Sequence, residues 1–349
     1  MTTGWILDSG GAGRGAWQGG VLYEFMGWCR ENGCYPGVSM GASAGGYAAA
    51  DVATGTERTV MKGWSRWGTD DLLRRYPPPR EADSSWLRSK FRRHLCASIC
   101  YVMAEEEIRN VFDAGAARKL LIFTTRVRRK DGRPLAGPDR LRLFLQSGTR
   151  KFPPSLKYLP AMYAQDPVIF ASHLPDELCS EFVRPLTRRN YHGVIEASCL
   201  VPLAMGLPLP PDAVAPDPRE GGLPHYPGDE GAQFIDGGYT LKMPMALFEE
   251  DPRFRALGHW AAADKIVVFC CDPKGRLWET SARLRSLNDR PSVQRAVAED
   301  RLLLIYPDHQ VEAGFLCLEN ARTLRTFERG REQGRRLLAD DRVRRFLSP

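Results

Sequence analysis

Gly41-Ala42-Ser43-Ala44-Gly45 has the spacing of a nucleophile elbow, in which a serine rides on a tight strand-to-helix turn and glycines let a neighbouring chain pass close. Such a turn serves attack of a serine hydroxyl on an acyl carbonyl. The hydroxyl of Ser43 is a weak nucleophile until a base takes its proton. Phe234-Ile235-Asp236-Gly237-Gly238 offers a carboxylate where a short strand meets two glycines, although Asp236-Gly237 taken alone reads as a plain Asp-Gly turn. His309 is the competing base. It follows a later strand, and Ser43, Asp236, His309 is the chain order of the hydrolase triad, but only one strand precedes residue 43 where triad hydrolases have several. As one of six histidines it reads more readily as a satisfied surface or core side chain.

A second loop, Ser9-Gly10-Gly11-Ala12-Gly13-Arg14-Gly15, lies between a strand and a helix. Gly11-x-Gly13-x-x-Ala16 fits the dinucleotide fingerprint, which wants an acidic residue at the end of the second strand. Here that strand ends in Ser39-Met40-Gly41-Ala42-Ser43, so the cofactor reading fails its own check. The other reading is an oxyanion hole. Backbone N–H groups at the positive end of the helix carrying Trp17 would point at charge developing on a carbonyl oxygen.

The elements that must position these groups read as strands alternating with helices. Gly4 to Asp8 is a short apolar strand. Trp17, Val21, Leu22, Phe25 and Trp28 then recur at helical spacing, with Gly33 as the stop signal. Pro36 to Met40, the elbow and an alanine-rich helix ending near Gly55 repeat the unit. Further strands are expected over Lys119–Val127, Leu141–Gln146, Gln233–Asp236, Lys265–Cys271 and Leu302–Tyr306. Such alternation implies an α/β sheet. The proline- and glycine-rich stretch from Leu207 to Gly231 is expected to be a long surface loop rather than a linker, and residues 1–349 are expected to form one domain.

Composition narrows the class further. With 43% hydrophobic residues the 349-residue chain can bury a large core, which excludes disorder as its main state. The formal charge of +7 permits an anionic partner without requiring one. No window is apolar enough for a spanning helix, and the first residues lack a secretory layout. The nine cysteines are scattered and odd in number, hence expected to be reduced thiols, and no metal-ligand spacing is evident.

Together these residues resemble the patatin-like phospholipases. The loop from Ser9 to Gly15 resembles that family's Asp-Gly-Gly-Gly-x-Arg/Lys-Gly, Gly41 to Gly45 its Gly-x-Ser-x-Gly, and Asp236-Gly237-Gly238 its Asp-Gly-Gly/Ala, in the same order. Glu196-Ala197-Ser198-Cys199-Leu200-Val201-Pro202 is similar to the segment that precedes the family's aspartate. The resemblance runs from about Trp5 to Lys242. It implies a three-layer fold with a central, mostly parallel sheet flanked by helices, and a Ser43–Asp236 dyad needing no cofactor. It also implies an oxyanion hole drawn from Gly10, Gly11, Ala12, Gly13 and Ala44, with Arg14 and Gly15 ordering the loop. Ala12 and Ser9 depart from the pattern, as does Lys242-Met243-Pro244 where many members carry Asn-Asn-Pro.

The substrate so implied is a phospholipid or related lipid ester. Rival readings are a Ser43-Asp-His309 esterase and a lipid-binding protein that keeps the fold without turnover. A membrane surface would be met transiently. Two docking elements are candidates: the basic run from Arg126 to Lys151, and the segment from Lys62 to Arg93, which mixes Trp64, Trp67, Trp86 and Phe91 with basic residues. Core packing explains the same tryptophans. Arg322, Arg325, Arg329 and Arg336 read as a solvated helix face. No nucleic-acid motif accompanies the charge, and a protein activator stays open. The expected location is cytoplasmic with peripheral membrane contact. Delivery by a secretion machine would leave no mark in these residues.

Overall fold

Along the opening strand, Trp5 and Leu7 enter one apolar cluster and Ile6 the other, the alternation of a strand buried on both faces. The computed structural model describes residues 2–77, 90–136, 138–139, 163–201, 205, 208–220, 222–223, 225–279, 286–314 and 316–348. The strands are β1 (Thr3–Leu7), β2 (Val38–Ala42), β3 (Lys119–Arg129), β4 (Tyr163–Ala171), β5 (Val183–Pro185), β6 (Gln233–Asp236), β7 (Lys265–Phe269) and β8 (Leu302–Ile305). They form one sheet in the order β5-β4-β3-β2-β1-β7-β8, with β6 also paired to β3. Strands β3, β2, β1, β7 and β8 run parallel, whereas β4 and β6 run antiparallel to β3.

Helices cover both faces, giving three layers. Helices α1 (Gly11–Asn32), α2 (Ala44–Ala53) and α3 (Glu57–Arg66) pack on one face with the Asn320–Ala339 helix, through Trp17, Phe25, Ala49, Val60 and Phe327. The Pro252–Trp260 and Pro291–Ala298 helices pack on the other, through Phe254, Leu257 and Val293. Gly33 ends α1 in the left-handed conformation, as a C-cap glycine should. Trp17 Nε1 donates to Gln333 Oε1 at 2.9 Å, tying the first long helix to the last.

Strands β4 and β5 are not among those expected from sequence. Gln165, Asp166 and Pro167 interrupt the apolar run of β4, and β5 is only three residues long. Pro167 is tolerated because β5 covers only Ile169–Ala171, which leaves the edge beside the proline open. The expected Leu141–Gln146 strand lies outside the described residues.

Two expectations about the surface gain detail. The described residues of the Leu207–Gly231 stretch do form a surface loop, but one pinned to the fold: Leu209 bridges to Phe234, and Val214, Tyr226 and Asp229 are buried. Asp229 holds it down, because its carboxylate accepts from Arg184 Nη1 at 2.9 Å and Nη2 at 2.7 Å and lies 3.3 Å from Arg126 Nη1. In the expected basic run from Arg126 to Lys151, residues 140–151 lie outside the described residues, and Arg126 is not a docking charge. It is fully buried, with Glu181 at 2.8 Å and Asp166 at 3.5 Å, while Arg129 pairs with Asp131 and Asp139. A guanidinium with several carboxylate partners in the interior has no field left to offer a membrane.

Candidate active site

Register brings Ser43 and Asp236 together. Strand β4 occupies one side of β3 along Leu121–Arg129, so β2 and β6 must share the other. Ala42 faces Phe123 and Asp236 faces Thr124, the next residue. Because β2 runs with β3 and β6 runs against it, their C-terminal ends meet head to head.

Ser43 sits where β2 breaks into α2, at φ 56° and ψ −134°, a conformation that a non-glycine residue adopts only when its surroundings enforce it. Those surroundings come from the Tyr191–Cys199 helix. The Ser43 N–H donates to both the carbonyl and the hydroxyl of Ser198 at 3.0 Å, Ser198 Oγ donates to the Phe123 carbonyl at 2.7 Å, and Cys199 Sγ lies 3.2 Å from the Ser43 carbonyl. Gly45 is required by contact: a Cβ there would lie 2.0 Å from the Leu7 carbonyl oxygen. Helix α2 can therefore start directly beside the end of β1.

Asp236 is buried, and its carboxylate interacts with the Ser43 hydroxyl, which favours the ionised form. The Gly238 N–H donates to its Oδ1 at 2.7 Å. Burial pushes its carboxyl up to about 6, against the opposing pull of the Ser43 hydroxyl, the Gly238 hydrogen bond and the charge of Lys242. Among the described residues no histidine acts on Asp236. His309 instead bonds Asp308 through Nδ1 at 2.6 Å, so the triad arrangement is not formed.

The glycine-rich loop starts α1 directly. Gly11 has φ 66°, a turn that glycine takes without strain, and it lines a pocket together with Ser43 and Ala44. The first amides of α1 and α2 have no acceptors within their own helices. One expected donor is taken: the Gly13 N–H bonds the Gly314 carbonyl at 3.1 Å. Arg14 does not order the loop either, since its side chain is exposed and makes no hydrogen bond or salt bridge to another described residue. Order comes from Asp8 and Cys271. The Cys271 N–H donates to Asp8 Oδ2 at 3.1 Å, Lys242 Nζ lies 3.4 Å from Asp8 Oδ1, and the Cys271 thiol presses on Gly10, where a Cβ would come within 2.5 Å of it. Gly15 packs against Ala44 and Trp64, and Gly237 against the Phe123 carbonyl.

From Ser43 a narrow pocket, open to solvent, runs between Trp64, Trp67, Phe91, Leu95 and Met205. Its lining is apolar apart from the Tyr47 and Ser98 hydroxyls, which bond each other at 3.0 Å. Trp64, Trp67 and Phe91 are thus buried around the site, with Trp67 edge-on to Phe91 at 5.3 Å, and are not exposed membrane anchors. Trp86 lies outside the described residues.

A sequence model of the patatin-like phospholipases matches residues 6–248, which span all of the motifs above. The chain belongs to that family. Patatin-like proteins are lipid acyl hydrolases as a class, which fits a serine elbow opening on an apolar pocket. No curated protein matches the chain. This patatin-like protein builds part of its site from residues beyond the family match: Cys271, Gly314 and Cys317, whose carbonyl accepts from Trp67 Nε1 at 2.9 Å. The motifs gave no hint of them. Ser198 and Cys199 had a signal in the segment before the aspartate, and Lys242 had one in its departure from Asn-Asn-Pro.

Proposed function

We propose that this protein is a serine acyl hydrolase with Ser43 as nucleophile and Asp236 as general base, cleaving the carboxylic ester of a phospholipid or related lipid at a membrane surface. The observation that carries this reading is the meeting of Ser43 with the buried carboxylate of Asp236, where β2 and β6 end head to head at the mouth of an apolar pocket. A carboxylate poised near 6 is ionised at neutral pH yet basic enough to take the hydroxyl proton as attack proceeds. The N–H groups of Gly11, Ala12 and Ala44 hold the oxyanion, the alcohol leaves with the proton from Asp236, and water activated by the same carboxylate frees the fatty acid from acyl-Ser43. We place the acyl chain along the apolar slot lined by Trp64, Trp67 and Leu95. We read the chain as one domain, since β7 and β8 pair in the same sheet as β1. No described helix is long and apolar enough to cross a membrane, and the proposed contact with lipid is peripheral.

The test is release of free fatty acid from phospholipid liposomes. His309→Ala is expected to keep its activity; if it loses it, a triad replaces the dyad, and if the unmodified protein binds liposomes without releasing acid, the lipid-binding reading wins. Two further results are expected on soluble esters. Below about pH 6 kcat/KM should fall tenfold per unit as Asp236 protonates, and a profile flat down to pH 4.5 would remove Asp236 as the base. Leu95→Trp should fill the slot and cut kcat/KM for long-chain esters by about tenfold or more while butyrate esters change little. An equal loss for both chain lengths would show that the acyl chain lies elsewhere.

A further inference from the structure

The Asp8–Lys242 pair belongs to neither family motif in the form found here. Lys242 follows the aspartate turn and Asp8 precedes the glycine-rich loop, so their contact at 3.4 Å joins the segment carrying the base to the segment carrying the oxyanion donors. Both side chains are largely buried, 12% and 4% exposed. Each is anchored through its backbone: the Lys242 N–H donates to the Glu279 carbonyl at 2.8 Å, and the Asp8 N–H to the Phe269 carbonyl at 3.0 Å. A buried ion pair contributes little net stability compared with apolar side chains of the same volume, so its presence between two functional loops calls for a different reason.

We infer that Lys242 is a positioning residue for both halves of the site, holding the glycine-rich loop through Asp8 and presenting its charge to the carboxylate of Asp236. The inference rests on the Ser43–Asp236 reading and deepens it. Asp236 is faced by the Ser43 hydroxyl from the elbow, the Cys199 thiol from the Tyr191–Cys199 helix, the Gly238 amide from its own turn, and the ammonium of Lys242. Lys242 in turn faces Asp8, Cys270 and Cys271. Burial pulls its ammonium toward neutrality, but Asp8 more than offsets this, so Lys242 titrates above the usual lysine range and stays charged. Of the groups facing Asp236, the lysine is the one that carries positive charge.

Two variants separate this role from simple support of the fold, because they shift the base in opposite directions. Lys242→Met removes the positive charge and leaves Asp8 unpaired, so Asp236 should titrate higher. Asp8→Asn leaves the Lys242 charge unneutralised, so Asp236 should titrate lower. The readouts are the pH dependence of Ser43 labelling by a fluorophosphonate and ¹³C-carboxyl NMR titration of Asp236, which needs no turnover. The expected shifts are on the order of half a pH unit or more, upward for Lys242→Met and downward for Asp8→Asn. The double variant Asp8→Asn/Lys242→Met, free of any lone buried charge, should return close to the unmodified titration and label more slowly at every pH because the loop is no longer tethered. It also serves if either single variant fails to fold. Unshifted titrations, or shifts of the same sign in both single variants, overturn the inference. Asp236→Asn distinguishes the two levels: if it labels as fast as the unmodified protein the dyad reading falls, and if it does not while the titrations stay unshifted, only the role of Lys242 falls.

Discussion

Asp236→Asn is expected to cost about a thousandfold or more in kcat and, at the same time, to make the protein more stable at pH 8. The first effect follows from removing the base. Asparagine still accepts from Ser43 or Gly238, so the geometry survives while the proton has nowhere to go. Ser43→Ala should lose as much, and the double variant should lose little beyond either single one, because nucleophile and base act as a unit. Additive losses would mean that the two residues serve separate steps.

The stability gain has a definite sign and pH window. Asp236 titrates at 3.8 when unperturbed and is pushed up to about 6 in the fold, so the folded chain binds this proton more tightly than the unfolded chain. Stability due to this group is therefore fully present below about pH 4 and lost as pH rises to about 6, after which a penalty of roughly 3 kcal/mol persists. The neutral asparagine avoids it. Thermal unfolding should show Asp236→Asn above the unmodified protein at pH 8, with the two converging near pH 4; a difference independent of pH would show that burial of the charge is not its origin.

Asp229→Ala should be the most destabilising change away from the site. It would leave Arg184, 2% exposed, without its two short hydrogen bonds, and Arg126 with one carboxylate fewer. Stripping a partner from a buried charge costs about 3–5 kcal/mol, against less than about 1 kcal/mol for an exposed pair such as Arg336–Asp308. Denaturant midpoints of Asp229→Ala and Arg336→Ala read the contrast directly. A loss of similar size in both would mean that the interior network is as solvated as the surface. Neutralising Arg126 should likewise cost fold stability rather than lipid binding.

The alternation of short apolar runs with helical spacing set the α/β class, because buried parallel strands and the helices that cover them leave distinct periods in the chain. The family resemblance carried by Gly41 to Gly45 and Asp236-Gly237-Gly238 pointed to the two residues that meet, since a serine elbow and an Asp-Gly turn are local structures encoded by their own glycines. Strand β4 escaped because Pro167 and its polar neighbours break the apolar pattern, and its place depends on pairing with β3 rather than on local preference. Which loop amides stay free was likewise invisible, as the Gly13 N–H is claimed by Gly314, three hundred residues away in sequence. The same holds for Arg126 and Trp67, whose residue types suit a membrane face as well as an interior. Only packing decided, because burial and charge pairing depend on what other segments bring to the same point in space.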